Sequence, residues 1–207
     1  MHERRNMLHL DGTAFIVIVL LVFSPGLPGC HATRVADGPS VVGFSQRPKP
    51  TIHVQELERD IHALVNNERR KLGLPPLGWD EALCGIARKH SNDMAQRNYF
   101  DHISPDGRDF SRRYQEAGYV CAVRFDRAVF LGAENILLNY LYDSVTTVNG
   151  AAYYDWNSRE KIAETTVSGW MKSPGHRKNI LTPHMKNEGI GIVLGPGGKV
   201  YITQNFC

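Results

Sequence analysis

An α+β fold, built as a three-layer αβα sandwich with a central, mainly antiparallel sheet, is what this sequence predicts. Three observations carry that prediction. Apolar residues recur at helical spacing in long stretches from Val54 and Asp80 and again after Ser158. The chain closes in a hairpin, Gly189–Leu194 and Lys199–Phe206, around the turn Gly195-Pro-Gly-Gly198. Its segments run helices first and strands later, without the strand–helix–strand alternation that a parallel sheet requires. At 207 residues and 42% hydrophobic content, the chain suits one domain plus an N-terminal extension.

The extension reads as an export segment. Ala14–Phe23 is an unbroken apolar run of ten, with Arg4 and Arg5 before it and Ser24-Pro-Gly-Leu-Pro-Gly-Cys30 after it. A bilayer span needs about 20 such residues, so the run fits the core of a secretory signal over residues 1–29. Leu27-Pro-Gly-Cys30 is similar to a bacterial lipobox, which marks Cys30 as a lipidation site, with simple secretion as the alternative. Residues 30–51 are polar, carry Pro and Gly and lack periodicity; they are expected to tether a folded domain over 52–207. The charges of the leader cancel, so the mature chain keeps the net +3, too weak and too mixed with acids for a nucleic-acid partner.

Within the domain, Leu57, Ile61, Leu64 and Val65 define a first helix that Gly73 stops. After the rigid Leu74-Pro-Pro-Leu connector, Asp80 caps a second helix whose stripe is Leu83, Ile86, Ala87, His90 and Met94. His90 on that stripe reads as a hydrogen-bonded core histidine. Ser104-Pro-Asp-Gly107 is a turn, Phe110, Tyr114 and Ala117 mark a short helix closed by Gly118, and Val123–Leu131 alternates as a strand. Asn139–Asn157 reads as a Tyr-rich loop, either a lid beside a site or a patch packed on itself. Ser158 opens the last long helix, with Ile162, Thr166, Val167 and Trp170 facing inward.

That helix is interrupted at Ser173-Pro-Gly175 and restarts at His176, presenting an imidazole at a turn between apolar anchors. His102 in Tyr-Phe-Asp-His and Glu134 in Ala-Glu-Asn-Ile stand on two other segments, giving two imidazoles and one carboxylate. Of the four cysteines, Cys84 sits among Leu83, Ile86 and Ala87 and reads as a small buried hydrophobe. Cys121 and Cys207, at the edges of expected strands, are the preferred disulfide, with Cys84–Cys121 left open.

Six stretches in this order resemble the CAP superfamily of cysteine-rich secretory proteins, venom allergens and plant pathogenesis-related proteins, in its bacterial SCP-like branch. They are Ile86–Met94, Tyr99–His102, Ala133–Ile136, Trp170–Leu181, Gly189–Gly191 and Thr203–Phe206. The resemblance covers Glu56–Cys207 and implies an αβα sandwich with a cleft of two His and two Glu that binds a divalent metal in some members. His102, Glu134 and His176 match three of the four positions; the second Glu position reads Ser173, and Ala133 stands where Gly is usual.

Two imidazoles and a carboxylate are the minimum for a zinc site with one open position. His102, His176 and Glu134 are therefore the candidate metal ligands, with Ser173 and Asn135 beside them in the cleft. Glu134 equally fits a carboxylate that orients one imidazole from outside the metal, and a hydrogen-bonded cluster that binds nothing is the third option. A Ser173–His176 hydrolase lacks an oxyanion-hole pattern and is disfavoured; no catalytic residue is assigned. The function expected is an extracytoplasmic binding or interaction module with a His/Glu cleft for a divalent metal such as zinc. The alternatives are a metal-assisted hydrolase of envelope or extracellular polymers, with Glu134 as base, and a structural envelope protein. The expected partner is an envelope or extracellular ligand, a lipid among the options, and membrane association is expected only through an N-terminal anchor.

Overall fold

A computed structural model describes residues 48–207; the expected signal over 1–29, the lipidation site Cys30 and most of the tether lie outside the described residues. Helix α1, Val54–Lys71, buries Leu57, Ile61 and Val65 at successive four-residue steps and is closed by Gly73 at φ 69. The connector carries a short strand β1, Gly78–Trp79. Asp80 then caps α2, Glu81–Arg97, its carboxylate accepting from the amides of Ala82 and Leu83. Helix α3, Phe110–Glu116, starts the same way at Asp109.

Strands β4, Ala133–Tyr140, β7, Asn187–Leu194, and β8, Lys199–Phe206, form the sheet with β1, in the order β1-β7-β8-β4. Only β1–β7 is parallel; the other pairs are antiparallel, so the predicted sheet is the observed one. Asn205 of β8 faces both Glu134 and Gly189 across its two ladders, which puts these three on one face of the sheet.

Helix α2 covers that face at backbone contact. A Cβ at Gly189 would lie 2.3 Å from the Cys84 amide nitrogen, and one at Gly191 would lie 2.0 Å from that of Arg88. Only glycine admits the helix there. On the opposite face Ile190, Ile192, Ile202 and Phe206 pack with Leu57 and Ile61 of α1 and with Ile162 and Trp170 of α4, Arg159–Lys172. Helices on both faces of one sheet make the three layers.

The structure corrects three sequence expectations. The stretch Asn139–Asn157 is not a loop: β5, Tyr142–Val148, and β6, Ala151–Trp156, pair as a hairpin. Its turn is Asn149-Gly150, both at positive φ (51° and 81°), the chemistry of a tight two-residue turn. Alternation is absent there because most of β5 is exposed on both sides. Residues 123–131 form a second hairpin, β2, Val123–Phe125, and β3, Ala128–Phe130, in place of one strand, because Asp126 turns the chain at φ 54. Helix α5, Pro174–Ile180, restarts at Pro174 and not at His176, since proline in the first helical position lacks only a donor that would be unused.

Cys121 and Cys207 are joined by a disulfide with Cα atoms 5.6 Å apart. Cys84 is free and buried, its thiol pushed up to about 12 mainly by burial. Among the described residues no helix is long and apolar enough to cross a membrane.

Candidate functional site

The cleft forms at the outer side of β4, the strand that ends the sheet. Strand alternation sends neighbouring side chains to opposite faces, so Glu134 points to the α2–α3 side and Asn135 to the α4–α5 side.

Glu134 is 5% exposed and lies between a guanidinium and an imidazole. Nη2 of Arg113, from α3, donates to its Oε2 at 2.6 Å, and Nδ1 of His102 is 3.0 Å from its Oε1. Arg113 also donates to the carbonyls of His102 (3.1 and 3.2 Å) and Arg108 (2.7 Å). One guanidinium thus fixes both the carboxylate and the loop that carries His102. With Nδ1–H donated to Glu134, Nε2 of His102 keeps its lone pair.

His90 of α2, 1% exposed, has Nε2 3.1 Å from the Asp101 carbonyl and 3.9 Å from Glu134 Oε1. It is the hydrogen-bonded core histidine that its place on the apolar stripe predicts. Burial, more than any neighbouring charge, lowers its pKa and keeps the ring neutral.

On the other side, a set of amides holds α5. Asn135 is fully buried and donates to the His176 carbonyl at 3.2 Å and to Gln204 Oε1 at 2.9 Å. Asn179 donates to Asn135 Oδ1 at 2.9 Å and to the Glu134 carbonyl at 3.2 Å. Trp170 Nε1 donates to the Ile136 carbonyl at 3.2 Å. Behind them Gln204 donates to the buried Glu188, whose other oxygen lies 2.6 Å from Nδ1 of His62. The buried Arg69 of α1 donates to the carbonyls of Ile180 (2.7 Å) and Thr182 (2.9 Å), fixing the far end of α5.

So held, the His176 ring faces that of His102 with centroids 6.3 Å apart and planes inclined at 49°. Burial first, and the neighbouring His102 second, lower its pKa. The structure therefore brings His102, Glu134 and His176 to one cleft. Asn135 stands behind it as a support. Ser173 is the residue that opens α5 and makes no side-chain capping bond.

Two imidazoles that share one zinc place their centroids about 5–6.5 Å apart, given a zinc–nitrogen distance of about 2.1 Å. The observed spacing lies at the wide end of that range. The third expected ligand is engaged elsewhere: Glu134 gives one oxygen to Arg113 and the other to His102. Its geometry is that of an orienting carboxylate. Among the described residues no three His, Cys, Asp or Glu side chains are grouped to hold a metal ion. The imidazole pair fits as a partial donor set, and solvent or a ligand would have to complete it.

Arg113 is the residue that sequence reasoning missed. Its neighbour Tyr114 marked the apolar side of α3, and nothing local distinguishes Arg113 from Arg112. The same holds for Asn179, whose role appears only once β4 runs beside α5.

Residues 62–206 match the family model described as CAP, cysteine-rich secretory protein family. The uncharacterized protein YkwD of Bacillus subtilis is 34% identical over 160 residues, 74% of this chain and 48% of that protein. An extracellular protein containing an SCP domain from Bacillus anthracis has a crystal structure that superposes at a TM-score of 0.54 with 26% identity, over 76% of this chain and 44% of that one. An outer surface protein of Borrelia burgdorferi has the same fold, with a TM-score of 0.53 at 14% identity over 77% of this chain and 97% of that one. The chain spans about half the length of these two Bacillus proteins. With the αβα sandwich, the cleft at β4 and a family match over most of its length, the chain belongs to the CAP, or cysteine-rich secretory protein, family.

Proposed function

We propose that this protein is an exported binding module whose ligand is met by the imidazoles of His102 and His176, with a divalent cation such as zinc as the simplest ligand for that pair. The observation that carries the reading is the engagement of Glu134, both of whose oxygens are held by Arg113 and His102. A metal-assisted hydrolase needs a carboxylate free to take a proton from water, and this one is paired and almost fully buried. What stays open is the His102 ring, with its side chain 46% exposed, and the partly buried ring of His176. Imidazole nitrogens at that spacing suit a soft or borderline cation.

Export is supported by the Cys121–Cys207 disulfide, a bond favoured in oxidising compartments. It is supported too by the apolar run Ala14–Phe23 and by the extracellular SCP-domain relative. Cys30 as a lipid anchor, followed by a tether, would hold the module at a membrane surface; mass spectrometry of the membrane fraction reads the lipid directly.

The test of the cleft is calorimetric titration of zinc into the full-length protein and into H102A/H176A. Saturable binding by the parent, lost in a variant with an unchanged far-ultraviolet spectrum, is the expected result. Equal heats from the two proteins would reject the imidazole pair as the binding site.

A further inference from the structure

A second cavity lies between α2 and α3, separated from the cleft by the Arg113–Glu134 pair. Its volume is about 330 Å³, within the range of small-ligand sites, and neither His102 nor His176 lines it. Lys89, His90, Ser104, Arg108, Arg113 and Glu116 do.

Among the described residues, three polar atoms in this lining have no hydrogen-bond partner. His90 Nδ1, Arg113 Nε and Arg108 Nε are each buried and make no hydrogen bond, whereas such atoms are nearly always satisfied. His90 is 1% exposed and Arg113 is 9% exposed, so both belong to the floor of the cavity. The hydrogen-bonding roles of the three are fixed. Because His90 Nε2 faces the Asp101 carbonyl it carries the proton, and Nδ1 is left as an acceptor. Both Arg Nε atoms are donors.

The charges at the rim are unequal. Glu116 is engaged by Arg112 and Arg108, Asp93 by Arg97 and Tyr99, and Glu134 by Arg113. Lys89 is the lining cation that forms no ion pair among the described residues.

We infer that this cavity is a binding site for a small monoanion that carries a carboxylate and a neighbouring hydroxyl or amide donor, as in a hydroxy acid or an acidic sugar. The carboxylate meets Lys89 and the arginine donors, and the ligand's own O–H or N–H donates to His90 Nδ1. A carboxylate alone leaves His90 unsatisfied, and a neutral sugar leaves Lys89 without a partner.

The test is nuclear magnetic resonance of the full-length, ¹⁵N-labelled protein, following the His90 ring nitrogens, with H90Q to assign them. Lactate, glucuronate, acetate and glucose are the probes. Lactate, glucuronate or both should shift Nδ1 saturably, as a bare acceptor does when it gains a donor. Acetate and glucose should bind at least about tenfold more weakly, the loss of one good hydrogen bond or charge. Saturation by only one acid tells a small hydroxy acid from an acidic sugar. K89A, a change at an exposed side chain, should weaken the acid that binds by about tenfold with an unchanged melting temperature. No saturable shift from either acid up to about 50 mM, a range that would reveal even millimolar affinity, overturns the inference. So does a K89A protein that binds as the parent does.

Discussion

Replacing Arg113 by methionine isolates the interaction on which the site geometry depends. The substitution keeps most of the aliphatic volume and removes the guanidinium from a carboxylate whose side chain is 1% exposed. Breaking a buried pair by deleting one partner costs about 3–5 kcal/mol, because the remaining charge is left unpaired. The His102 carbonyl also loses its donor, at about 1 kcal/mol where water cannot replace it, whereas the Arg108 carbonyl keeps the Ser104 amide. The sum, about 4–6 kcal/mol, is a large part of the stability of an ordinary domain. R113M should therefore unfold at far lower urea than the parent, with the disulfide intact in both. E134Q/R113M removes both charges and should recover a large part of the loss, and the double-mutant cycle gives the coupling directly. A loss below about 1 kcal/mol in R113M, the size of an exposed pair, would refute the reasoning. Glu134 would then be solvated, and its availability as a base would have to be reconsidered.

Three further outcomes are expected. His90 and His176 have pKa values below 6.5 in the folded protein, so below about pH 6.5 the unfolded chain binds protons that the fold resists. Stability should be level above about pH 7.5 and fall as the pH drops through 6.5, with a shallower fall in H90N; urea midpoints across that range measure it. C121S/C207S opens a bridge with a sequence separation of 86 and should lose about 4.5 kcal/mol by chain entropy, read from urea curves. G191A drives a methyl group into the backbone of α2, where its Cβ would lie 2.0 Å from the Arg88 nitrogen. A loss above about 3 kcal/mol should show in its melting temperature, and a variant within about 0.5 kcal/mol of the parent would mean that α2 does not touch β7.

How far the sequence reveals this fold depends on whether the signal is local. Asp80 and Gly73 act within a few residues of themselves, so helix ends could be read from one dimension. The terminal hairpin is equally local. The β5–β6 hairpin was legible in principle, since Asn149-Gly150 is a strong turn signal. Its aromatic and polar residues drew the reading toward a loop, because neither side of β5 is buried enough to impose alternation. The site divides in the same way. His102, Glu134 and His176 stand out because their types and flanking residues form motifs. Arg113 does not, because its importance comes from ending 2.6 Å from a carboxylate that lies 21 residues away. The role of Glu134 was open between ligand and orienting group for that reason: the choice belongs to Arg113.

The amide and indole donors along β4 have an effect that reaches beyond the cleft. A terminal strand normally offers its free carbonyls to any passing extended chain, and long open borders of this kind are where folded proteins stack into aggregates. In this fold the carbonyls of Glu134 and Ile136 are taken by Asn179 and Trp170. An incoming strand would have to displace a buried tryptophan and the helix that holds Asn179 before forming its first rung. Trp170 and Asn179, which stand in sequence within one of the stretches that resemble the family, thereby close this border of the sheet to an incoming strand. Their loss should show first as self-association, before any change in what the cleft binds.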